Sequence, residues 1–93
     1  MYKLTGTEKQ INWATDILDS VIHTIDANIK LNHDRAIEFK VPMYENDAKV
    51  WEFIKSDFER FLQNEMPASE IIDRRNSLTD YDKLFNNAKN MRA

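Results

Sequence analysis

Two histidines among sixteen carboxylates are the side chains of this 93-residue chain that could bind a metal or move a proton near neutral pH. His23 has Asp19 four positions before it and Asp26 three after it. On a helix that spacing puts all three on one side and loosely resembles a ligand set. Zinc sites bring a third or fourth ligand of fixed spacing, commonly another His or a Cys, and the chain has no cysteine. The group therefore reads as part of a solvated stripe, and no metal or other cofactor is expected. His33 falls where the first helix is expected to end, a place where an imidazole can serve the terminal carbonyls. Acid–base catalysis needs two carboxylates held in a cleft with separated pKa values, which spacing alone does not supply. A single glycine cannot build a phosphate loop, and no Ser, His and Asp set forms a recognisable local motif. The expectation is a protein without enzymatic activity.

Residues suited to binding are better represented. Trp51, Phe53, Phe58 and Phe61 have the rings to stack on single-stranded nucleic acid, but Trp51, Phe58 and Phe61 recur at helical spacing and read as core. Phe53 and Trp13 sit off their apolar stripes. A crossover or the C-terminal tail is expected to cover them; exposed, they would anchor a protein partner. Charge is unevenly distributed: residues 1–44, 45–73 and 74–93 carry −1, −5 and +3 of the total of −3. Such an acidic middle ordinarily provides solubility and opposes generic duplex binding. Its sharper reading is that Glu52, Asp57 and Glu59 present phosphate-like charge to a basic groove of a nucleic-acid enzyme, with electrostatic steering for fast capture. The alternative is nucleic-acid association through the basic residues Arg74, Arg75, Lys83, Lys89 and Arg92.

The elements that must position these groups are helices. From Thr7 to about Lys30, Ile11, Leu18 and Ile25 recur every seven residues, with Ala14 and Val21 on the second seam and Ile17, Ile22 and Ile29 widening the stripe. Thr7 and Gln10 form a capping-box pattern, and the end is expected to fray over Leu31 to Asp34. Residues 35–41, RAIEFKV, alternate in a period of two. This suits an extended crossover anchored by Ile37, Phe39 and Val41, or a minor strand paired with the lead-in at Tyr2 to Leu4. Pro42 agrees, because it biases Val41 away from helix. A second long helix is expected from Asn46 or Asp47 to about Glu65, ended by Pro67. Ser69 should cap a short helix that plugs the pair with Ile71 and Ile72, and Thr79 should cap a last helix carrying Tyr81, Leu84, Phe85, Ala88 and Met91. Fold class is thus all-α: a small bundle of two long and two short C-terminal helices, with room for a minor two-stranded β pairing. Residues 1–93 read as one domain, with a thin core at this length. No apolar run of membrane-spanning length and no export signal is seen, so a cytoplasmic protein without a membrane partner is expected. A homodimer paired along the first helix through Ile17, Ile22 and Ile29 is a further reading.

The opening LTGTEKQINWATDI, Leu4 to Ile17, resembles an N-terminal motif of small phage and mobile-element proteins of bacteria, T-G-T/S-E-K-Q-I-x-W-A-x-x-I. A later segment, ASEIIDRRN, is similar to that family's second block, with Ile71 and Ile72 where the pattern often carries paired aromatics. The two blocks cover about a quarter of the chain, the first specific and the second loose. What the resemblance implies is a setting, that of a phage or prophage accessory protein in the host cytoplasm, with no established active residue. Joined to the acidic middle, it leads to the expectation of a protein that binds and inhibits a host protein, a CRISPR-type defence nuclease foremost.

Overall fold

In the computed structural model, which describes residues 2–92 apart from the side chain of Arg92, two long antiparallel helices form a hairpin on which everything else is mounted. The first, α1, runs from Glu8 to Phe39, 32 residues. Its start follows the expected chemistry. Thr7 Oγ1 accepts from the Gln10 amide and Gln10 Oε1 accepts from the Thr7 amide, each at 3.2 Å. Gly6 leads in at φ +132°, a backbone conformation that favours glycine, and a Cβ there would lie 2.8 Å from Gln10 Oε1 and push that side chain out of the cap.

The helix does not fray at Leu31 to Asp34, and His33 is not at its end. The heptad seam that begins at Ile11, Leu18 and Ile25 continues to Asn32, which is 8% exposed, and then to Phe39. Asn32 is tolerated there because its Nδ2 donates to the Asn28 carbonyl at 2.8 Å, while Asn28 Nδ2 donates to that of Thr24 at 2.9 Å. Residues 35–39, expected as crossover or strand, are therefore the last helical turn. Their alternation marks no buried face, since Ile37 is 76% exposed and Phe39 54%. Lys40 closes α1 in the left-handed region at φ 56°, its amide donating to the Ala36 carbonyl. Val41 is extended, as the following proline demands, but Pro42 starts a helix instead of sustaining a crossover. Proline suits the first helical position because the missing N–H has no intrahelical partner there.

The second helix, α2, accordingly spans Pro42–Phe61, beginning and ending about four residues earlier than the sequence suggests. A turn at Leu62 to Asn64 follows, and Pro67 stands in a strand instead of terminating α2. That strand, β2 (Met66–Pro67), pairs in parallel with β1 (Leu4–Thr5), so the minor pairing exists but joins the lead-in to the chain after α2, not to residues 35–41. Three short helices complete the molecule: α3 (Ala68–Asp73), α4 (Arg75–Leu78) and α5 (Tyr81–Arg92), one more than expected. Pro67, not Ser69, occupies the N-cap of α3. Thr79 turns back to the Arg75 carbonyl, and Asp80 caps α5 by accepting from the Lys83 amide at 3.3 Å.

The core lies in two joined patches. One gathers Ala14, Leu18, Met66, Ala68, Ile71 and Ile72, the last two plugging the end of the hairpin as expected. The other gathers Val21, Ile25, Val50, Trp51, Ile54 and Ala88, and Phe58 and Leu78 pack against both. Ile17 and Ile29, the ends of the stripe considered for dimerisation, are partly buried against these patches. No helix among the described residues is long and apolar enough to cross a membrane.

Candidate partner-binding surface

α2 is the central element of the surface, with α1 on one flank and α5 on the other. Glu45, Glu52 and Glu59 recur every seven residues along it, a spacing that keeps them near one face at about 10 Å intervals. This face adjoins α1. Glu52 Oε1 lies 2.9 Å from His33 Nε2, and Lys55 Nζ lies 2.7 Å from Asp26 Oδ1. The hydrogen bond to Asp26 holds the Lys55 ammonium above its ordinary range, against desolvation, with the charges of Asp26 and Glu59 adding to it. The acidic face is thus alternately charged: Glu52 is exposed but held by His33, while Glu59 is exposed with no ion-pair partner among the described residues.

Asp57 and Phe53 belong to the other flank. Both line a recess of 310 Å³ among α1, α2, α4 and α5, lined by Val21 and Ile25 of α1 and walled by Phe58, Phe61, Leu78 and Leu84. Its polar side chains are Asp57, Arg74 and Asn87. A volume of this order suits one small apolar molecule or an anchoring side chain of a partner. Asp57 also takes the Arg60 guanidinium at 3.2 Å, and Arg74 holds Glu70 at 2.9 Å. α5 covers Phe53 only in part, so its ring is half-buried beside the recess.

Trp13 lies elsewhere, near the start of α1. It is 50% exposed, uncovered by the crossover once expected, because residues 35–41 are part of the hairpin. From the tail, Arg75 stacks over its ring at 5.3 Å while Arg75 Nη1 donates to the Ile72 carbonyl at 2.7 Å. The structure therefore joins Phe53 with Asp57, sets Glu52 and Glu59 on the neighbouring face, and keeps Trp13 apart from both.

The basic set is dispersed. Arg74 binds Glu70, Arg75 covers Trp13, Lys89 sits 6.0 Å from the Phe85 ring centre, and Lys83 and Lys89 project about 120° apart around α5. The Arg92 side chain lies outside the described residues. The His23 group is also dispersed: Asp19 accepts the Tyr2 hydroxyl, Asp26 binds Lys55, and no three ligating side chains converge on a metal position among the described residues.

Comparison with protein-family models, with curated proteins and with solved structures returned no match. Arg74, Leu78 and Leu84 had no signal in the sequence as lining residues. Their convergence depends on how α4 and α5 return over α2.

Proposed function

We propose that this chain is a non-enzymatic binding protein of a phage or mobile element that occupies and blocks a host protein, a CRISPR-type defence nuclease being the target class. The observation that carries the reading is the recess lined by Phe53 and Asp57 beside the carboxylate face of α2. An apolar side chain of the target enters the recess, and the carboxylates of Glu52, Asp57 and Glu59 meet basic residues that otherwise hold nucleic-acid phosphates. Burial of the anchor supplies affinity, while the charges accelerate encounter and select a basic surface. The N-terminal motif shared in resemblance with phage proteins supplies the setting.

Retention of a nuclease from host lysate on the immobilised chain identifies the target, and its DNA cleavage is then measured with increasing protein. Reversing Glu52, Asp57 and Glu59 together to lysine weakens inhibition and flattens its salt dependence, with helical circular dichroism unchanged. Inhibition that survives the triple reversal at every salt concentration refutes charge mimicry. A salt-dependent mobility shift of labelled DNA by the chain alone would instead favour the basic residues of α3 to α5 as the working surface.

A further inference from the structure

Four of the seven exposed large hydrophobic residues found among the described side chains fall within seven positions: Ile37, Phe39, Val41 and Met43, exposed by 76, 54, 42 and 53%. They surround the turn between α1 and α2, at an end of the molecule that the two core patches do not reach. The turn is well braced. Phe39 packs on Tyr44 with ring centres 5.7 Å apart, and the Arg35 guanidinium lies 5.9 Å from the same Tyr44 ring. Apolar side chains clustered and left in water around a braced turn mark an interaction surface.

The charges among these residues identify the occupant. Arg35 and Lys40 are balanced by Glu38 and Glu45, and none of the four has an ion-pair partner within the chain among the described residues. A lipid surface selects for excess positive charge, and a strongly charged protein for the opposite sign. A neutral ring with two unpaired charges of each sign holds both members of an ion pair, so a second copy related by a two-fold rotation can meet each charge with its opposite, every contact occurring twice. We propose that the hairpin tip is a self-association surface, packing against the tip of a second copy of this chain with Lys40 of each copy near the acids Glu38 and Glu45 of the other. Four side chains at these exposures offer a few hundred Å². A standard interface takes roughly 800 Å² from each side, so the polar ring must share in the contact and the dimer is weak, in the micromolar range. The inference is independent of the recess on α2, and only Glu45, at the near end of the α2 carboxylate row, belongs to both surfaces.

Sedimentation of the full chain from low-micromolar to near-millimolar concentration tests it. The expected mass rises from 11.0 kDa toward twice that value. Ile37→Asp with Met43→Asp, both at exposed positions, abolishes the rise while helicity is kept. Lys40→Glu and Glu45→Lys each weaken self-association, yet an equimolar mixture of these two variants associates more strongly than either alone, because one tip is then acidic and the other basic. A chain that stays monomeric throughout overturns the proposal. So does a dimer indifferent to the tip variants but lost on Ile22→Asp, which would move the contact to the middle of α1. Flotation of a monomeric chain with phosphatidylcholine and phosphatidylglycerol vesicles would overturn it in favour of a lipid surface.

Discussion

Single residues set the ends of the elements. Lys40 adopts a left-handed conformation at φ 56° that disfavours a side chain and that glycine takes freely. Lys40→Gly is expected to stabilise the fold by about 1 kcal/mol, an increase of roughly 4–8 °C in Tm for a domain of this size, read by thermal unfolding. Tyr2 makes the opposite kind of contribution, one that depends on pH. Its partial burial, with the hydrogen bond to Asp19 and that residue's negative charge, raises the phenol above its ordinary 10.0. The protonated form is the one favoured by folding, so the associated stability is complete below pH 10.0 and lost as pH rises toward the raised value. Lys55, raised chiefly by its hydrogen bond to Asp26, loses its contribution in the same direction. Denaturant midpoints measured from pH 8 upward should fall above about pH 10, and Tyr2→Phe should fall less steeply. An equal slope in both proteins would remove Tyr2 from the account.

At the scale of elements, α1 is decided by its seam. Ile11, Leu18, Ile25, Asn32 and Phe39 hold one heptad position over the whole helix, and Asn32 is the polar member that hides this continuity from a search for apolar residues. A buried polar residue at such a position favours one register and costs stability. Asn32→Leu should raise stability by about 1 kcal/mol, since it adds apolar burial while the Asn28 carbonyl keeps its helical partner. Thermal unfolding checks the direction. A destabilised variant would show that the side-chain ladder from Thr24 to Asn32 holds this part of α1 more than packing does. The same reasoning explains α2: its first turn lacks a side-chain cap, and its start is set by Pro42.

For the whole molecule, length of helix controls shape. A 32-residue helix is about 48 Å long, which matches the longest extent of 48 Å, against 24 and 21 Å across. The Cα radius of gyration is 14.8 Å, where a compact chain of this length has about 12 Å. Small-angle scattering at low concentration should give a value near 15 Å; one near 12 Å would mean that the hairpin end folds back onto the bundle. Elongation separates three surfaces: the tip, the α2 face with its recess, and the Trp13–Arg75 stack. Apart from Glu45, which the tip shares with the α2 row, each can therefore be altered without disturbing the others, and their mutational effects should add.

Periodicity and capping are short-range rules, and what depended on them was already present in the amino-acid order. This includes the all-helical class, the Thr7–Gln10 cap, the seam from Ile11 to Ile25 and the Ile71–Ile72 plug. Tertiary structure decided where α1 stops, because only an antiparallel α2 beginning at Pro42 makes Asn32 an interior position and leaves Ile37 in water. It also decided the strand partner of Leu4–Thr5, the parting of Trp13 from Phe53, and the recess beneath α5. These features arise from segments far apart in the chain. Which apolar side chains end up covered is a property of the neighbour that arrives, and no local spacing carries that information.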